Sequence, residues 1–284
     1  MSKPPTIGHG LISVIGRRRS MQDAFTVFPN LVHLRSNGEE TSYDFFAVFD
    51  GHGSRKVSNK CKQRLHHLVA EELTRDVGKV VEWQSVMATC FARMDAEVAE
   101  AEGDTGSLAK VTVGSTALVM VVISEEEIVV ANFGDCKVVL FRDNSALQLS
   151  HDHMPERHDD RERMEGAGVT VSGLISGSLS TSTPIVNLEP EVEVCKRNAT
   201  DDFLVIGTNG LWDVMPNDMA CELVRKCFSG QVSKTVLEGV GGNSSAAATT
   251  MLALLAIARG SPDNISVIVV QLRSFDAESS SFTT

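Results

Sequence analysis

The chain has 284 residues, of which 42% are apolar and 22% charged, and its formal net charge is −11. That is ample apolar material for a packed core, and the acidic balance argues against a nucleic-acid ligand, which needs a basic face. No apolar run approaches the ~20 residues of a membrane span, so no membrane partner is expected.

The first residues, Met1-Ser2-Lys3-Pro4-Pro5, lack an apolar stretch, so no signal peptide is expected and residues 1–8 read as a tail. Apolar, β-branched runs bounded by turn residues predict strands at Gly10–Ile15, Tyr43–Phe49, Ser115–Ile123, Ile128–Asn132, Lys137–Arg142, Phe203–Ile206 and Ile265–Leu272. The polar link Ser124-Glu125-Glu126-Glu127 joins two of these as a hairpin. Between Arg55 and Asp76, Val57, Cys61, Leu65, Leu68 or Val69, and Leu73 recur at spacings of three and four, which is one face of a helix. Further helices are expected over Glu82–Glu102, Arg157–Glu165, Asp218–Phe228 and Ala246–Ala258. The last is apolar nearly all round, so it is expected to be buried. It should stop at Arg259-Gly260, with Pro262 beyond. Ser172–Thr183 reads as a surface loop and residues 274–284 as a disordered tail, leaving one domain over 9–273. Hairpin-like strands interleaved with paired helices suggest antiparallel sheets covered by helices. The six cysteines show no CxxC or Cys/His ligand spacing, as expected of free thiols in a reducing compartment, cytoplasmic or nuclear.

Four acidic turns invite a site. They are "MQDAF" at Met21–Phe25, Asp50-Gly51-His52-Gly53 at the end of a strand, Asp135 in "NFGDCK", and Asp263-Asn264 before the last strand. Carboxylates at strand ends suit hard cations, which take oxygen ligands. Each alone is ordinarily just a turn. His151, His153 and His158 suggest zinc, but they fall in a stretch that reads as a turn and helix.

Together and in this order, the stretches "GRRRSMQDA", "FFAVFDGHG", "VGSTALVMVV", "VANFGDCKVVL", "LSHDHMPERHDDRERMEGAG", "FLVIGTNGLWDVM" and "GSPDNISVIVV" resemble the type 2C (PPM) metal-dependent serine/threonine phosphatases, most nearly those of plants. The resemblance runs from about Gly10 to Leu272. It implies an α+β fold, a four-layer α-β-β-α sandwich of two antiparallel sheets flanked by helices. It also implies hydrolysis of phosphoserine and phosphothreonine proteins with two Mg²⁺ or Mn²⁺ ions, which activate water and neutralise phosphoryl charge. Carried over position by position, Asp50 matches the carboxylate that bridges both ions, and Gly51 supplies a carbonyl ligand. Asp263 matches a terminal ligand, Asp135 a ligand of a third, weaker ion, and Asp23 a supporting carboxylate. Arg18 matches the arginine that grips phosphate, and His52 the general acid.

The chain departs from that pattern in three places. Gln22 stands where the family has an acidic ligand, and Asn209 where it has an aspartate. Two of the four ligand carboxylates remain, Asp50 and Asp263, so at most one weakly held ion is expected. The segment Gly168–Pro190 is shorter than in the family and lacks an arginine motif and a flap. Plant hormone co-receptor members carry a tryptophan in that flap, but Trp83 and Trp212 lie elsewhere. The expectation is a monomeric pseudophosphatase that binds a phosphoprotein or a regulatory partner in plant signalling. The alternatives are a weak Mn²⁺-dependent phosphatase and a scaffold that binds partners away from the groove.

Overall fold

A computed structural model describes residues 8–36, 38–51, 55–102, 116–151, 190–231, 239 and 241–273. Ten strands are found there: β1 (His9–Val14), β2 (Ala24–Ser36), β3 (Glu39–Gly51), β4 (Thr116–Ile123), β5 (Glu127–Phe133), β6 (Lys137–Arg142), β7 (Ser145–Gln148), β8 (Glu191–Lys196), β9 (Asp201–Gly207) and β10 (Ile265–Gln271). The helices are α1 (Arg55–Arg75), α2 (Trp83–Glu102), α3 (Asn209–Trp212), α4 (Asn217–Phe228) and α5 (Ser244–Ala258).

The strands form two five-stranded sheets, in the orders β1-β10-β9-β6-β7 and β2-β3-β4-β5-β8, with every pairing antiparallel. Side chains alternate across each strand, and in the central strands both faces are buried. Along β3, Phe45, Ala47 and Phe49 pack toward α1 and α2, while Phe46 and Val48 face the other sheet. Along β9 and β10, Phe203, Val205, Val267 and Val269 pack toward α4 and α5, and Leu204, Ile206, Ile268 and Val270 fill the space between the sheets. The result is the expected α-β-β-α sandwich. Each phenylalanine of β3 that leaves water completely contributes roughly 1.5–3 kcal/mol.

The two-sided burial explains why the central strands read as continuous apolar runs. Three other strands escape that signal. In β2, Pro29 interrupts the run, and Asn30 takes φ 55° at a bulge between Phe28 and Val32, where its N–H donates to the Asp44 carboxylate at 2.7 Å. β7 is four residues long and mostly exposed, joined to β6 by Asp143-Asn144 at φ 51° and 58°, a two-residue hairpin. β8 is an edge strand with an exposed pattern.

The expected last helix begins earlier than predicted, at Ser244, because the Asn243 side chain caps the Ala246 N–H. It is buried on one face only, since Leu254 is 57% exposed on the other. Its end at Arg259 and Gly260 is as expected, with Gly260 at φ 94°. The predicted helix Arg157–Glu165, the loop Ser172–Thr183, the segment Gly168–Pro190 up to residue 189, and the tail 274–284 lie outside the described residues. All six cysteines are free, and five of them are buried.

Candidate functional site

The antiparallel order brings five chain segments to one end of the sandwich: the β1–β2 connection, the end of β3, the β5–β6 connection, the start of α3 and the start of β10. These carry Arg18, Gln22 and Asp23, then Asp50 and Gly51, Asp135, Asn209, and Asp263 with Asn264. Asp50 and Gly51 are the last residues of β3 rather than a turn beyond it, paired with Ala117 and Thr116 of β4. Gly51 is required by close approach, because a Cβ there would stand 2.5 Å from the Gln22 carbonyl oxygen. Ser58 of α1, fully buried, donates its hydroxyl to that same carbonyl at 2.7 Å.

Asp23 is 2% exposed and joins the two sheets. Its Oδ2 accepts hydrogen bonds from Thr208 Oγ1 at 3.0 Å and Ser266 Oγ at 2.8 Å. Burial raises its pKa to about 6; the two hydroxyls pull it down, and the charge of Asp263 adds to the rise. Asp50, 3% exposed, is pushed well above the ordinary carboxylate range, first by burial and then by the negative charges of Asp23, Asp135 and Asp263. The four aspartates therefore share one electrostatic neighbourhood. Beneath them Cys136 is fully buried, and burial pushes its thiol well above the ordinary range, so it is no nucleophile.

Two groups answer this negative charge. Arg18 donates from Nη2 to Asp263 Oδ2 at 2.6 Å, while Asp263 Oδ1 accepts from the Asn264 N–H at 2.7 Å. Asn209 donates from Nδ2 to Asp135 Oδ2 at 3.4 Å. The Asn209 Oδ1, on a residue only 8% exposed, has no hydrogen-bond partner among the described residues. The tip of "TNGLWDV" reads from sequence as a simple turn. In the structure Asn209 opens the one-turn helix α3, because the Leu211 and Asp213 N–H groups bond back to Thr208 and Asn209. Among the described residues, no three of His, Cys, Asp or Glu are gathered tightly enough to ligate an ion alone. An ion would also need carbonyl, amide or water oxygens.

The sequence names Asn264 only as the neighbour of Asp263 in an acidic turn, and does not point to Ser58, Thr208 or Ser266 at all. Asn264, 2% exposed, accepts from the Gln22 N–H at 2.7 Å and donates to the carbonyls of Ile15 at 2.8 Å and Ser20 at 3.1 Å. A lone asparagine beside an aspartate gives no pattern that could announce this role. His52, His153 and His158 lie outside the described residues. His151 is exposed and stands 3.2 Å from Glu191, an ordinary surface pair.

The protein phosphatase 2C family profile matches residues 7–265. A probable protein phosphatase 2C 8 of Oryza sativa subsp. japonica is 44% identical over 308 aligned residues, covering 95% of this chain and 75% of that one. Among solved structures, a serine-threonine phosphatase 2C from Toxoplasma gondii superposes with a TM-score of 0.70 at 20% identity, over 95% of this chain and 96% of that one. The catalytic domain of the serine threonine protein phosphatase PstP, solved in complex with two manganese ions, superposes with a TM-score of 0.60 at 18% identity, over 94% and 98%.

Proposed function

Because the chain belongs to the protein phosphatase 2C family, we propose that it is a phosphatase-like domain that binds phosphorylated serine and threonine segments rather than hydrolysing them. The observation that carries this reading is the Asn209 amide. Its N–H donates to Asp135 at 3.4 Å, an attraction that needs no cation. An aspartate in its place would oppose Asp135 with like charge and would need a cation between them.

The donor set fits one hard cation rather than a bridged pair. Asp50, Asp263 and the Gly51 carbonyl would hold it, and the Asn209 Oδ1, buried and lacking a hydrogen bond among the described residues, offers a neutral fourth oxygen. When bound as a pair, such ions supply an activated water and neutralise phosphoryl charge. With Gln22 and Asn209 as amides, the charge that would hold the second ion is absent. Arg18 remains suited to grip a phosphate, since a guanidinium presents a fork of N–H donors.

A second reading, weak Mn²⁺-dependent hydrolysis, is favoured by the gathering of Asp23, Asp135 and Asp263 around Asp50, whose summed negative charge draws a cation in. The names of the relatives point the same way. Mn²⁺-dependent phosphate release from a phosphothreonine peptide separates the two, measured for the wild type and for Gln22→Glu/Asn209→Asp. The first reading expects no release above background from the wild type and a gain in the double variant. Wild-type release that the double variant does not increase would favour the second.

A further inference from the structure

The loop from Gly16 to Ser20 carries three consecutive arginines, Arg17, Arg18 and Arg19, all exposed, on a chain whose net charge is −11. Only Arg18 has an ion-pair partner among the described residues, Asp263. The loop is held in shape from below. One buried amide, Asn264, takes the carbonyls at both of its ends, Ile15 at 2.8 Å and Ser20 at 3.1 Å. Gly16 sits at φ 59° with its backbone pressed on Asp263, where a Cβ would fall 2.1 Å from the Asp263 carbonyl oxygen. The Arg18 N–H closes a turn on the Ile15 carbonyl at 3.3 Å.

The geometry points to a preformed basic ledge beside the acidic site, built to take a phosphorylated segment whose flanking residues are themselves acidic. Arg18 faces the site and takes the phosphate. Asp263 engages only one of its nitrogens, and a guanidinium has five N–H donors, so donors remain for a phosphate oxygen. Arg17 and Arg19 lie on either side of it in sequence and meet the flanking charges. A loop already fixed by Asn264 loses little freedom on binding, so its charge pairs are realised as affinity. Two isolated exposed ion pairs would contribute little, but long-range attraction also speeds encounter. On a chain of net charge −11, three consecutive exposed arginines give an acidic peptide a local attraction. The inference rests on the reading of the domain as a phosphoprotein binder and adds the partner's chemistry: a phosphoserine or phosphothreonine within an acidic run, not within a basic one.

The test uses the whole chain in Mg²⁺ buffer and peptides that carry a non-hydrolysable phosphonate analogue of phosphothreonine, so that turnover does not enter. Flanks are glutamate-rich, neutral or lysine-rich, and affinity is read by fluorescence anisotropy. The glutamate-flanked peptide is expected to bind about tenfold more tightly than the neutral one, a difference of about 1.4 kcal/mol. Both Arg17→Ala/Arg19→Ala and about 0.5 M NaCl should erase that preference. Arg17→Glu/Arg19→Glu should reverse it in favour of lysine flanks. Unchanged melting curves show that each variant is folded. Tight binding that ignores the flanks, or a preference that survives in the double alanine variant, overturns this inference and leaves phosphoprotein binding standing. Failure of every phosphorylated peptide to bind better than its unphosphorylated form overturns both.

Discussion

Replacing Asn209 with aspartate sets a second negative charge against Asp135. In the native chain the amide nitrogen lies 3.4 Å from Asp135 Oδ2 and donates to it. The variant loses that hydrogen bond, which contributes roughly 1 kcal/mol. It also gains a repulsion of about 5 kcal/mol for unit charges at the separation of 3.4 Å, taking an effective dielectric of about 20. Protonation of one carboxyl caps the penalty: holding a proton at neutral pH on a group that ordinarily titrates near 4 costs about 4 kcal/mol. The cation-free variant should therefore be less stable than the wild type by up to about 5 kcal/mol, a fall in melting temperature of up to about 10–20 °C for a domain of this size. A divalent cation restores the balance, and stabilisation then grows with its concentration. The assay is thermal unfolding of both proteins at neutral pH, in chelator and across a Mn²⁺ series. The variant should start lower and rise more steeply. A variant that melts with the wild type in chelator, or gains no more from Mn²⁺, would refute the reasoning.

The Asn264→Ala variant removes three hydrogen bonds of 2.7, 2.8 and 3.1 Å from a residue 2% exposed, so urea unfolding should show a loss of about 2–4 kcal/mol. The same change should raise amide exchange between residues 15 and 22 by local opening, beyond the rise in β5, which follows only the loss of global stability. His66, stacked on Phe28 with ring centroids 4.1 Å apart and touching His67, has its pKa lowered to about 4, first by burial and then by the charges of His67 and Arg64, with the Lys62 carbonyl opposing. A folded value below the unfolded one of about 6.5 means that the unfolded chain binds the extra proton between those values. This contribution is full above about pH 6.5 and is lost as the pH falls toward 4, by about 1–2 kcal/mol after allowance for solvent screening. His66→Phe should flatten that part of the stability–pH curve; an unchanged slope would contradict the assignment.

The two-sheet core was legible because strands buried on both faces leave long apolar runs, as in β3, β9 and β10, and because α1 repeats its buried residues every three and four positions. β2 was hidden by Pro29 and its bulge, and β7 and β8 by their exposure at sheet edges. In the site, Arg18, Asp50, Asp135, Asn209 and Asp263 do come together as their strand-end positions suggest. What the sequence leaves open is how the groups are engaged. The pairing of Arg18 with Asp263 and of Asn209 with Asp135 depends on contacts 245 and 74 residues apart. Asn264 acts on Ile15, Ser20 and Gln22 through the same closure of the sheets, and no local pattern encodes it.

The most direct test of the account is titration calorimetry of the wild-type chain with Mn²⁺ and, separately, Mg²⁺. With amides at Gln22 and Asn209, the account predicts no more than one ion per chain, held weakly, with Arg18→Ala changing its affinity because Arg18 competes for Asp263. Two tightly held ions per chain would contradict it.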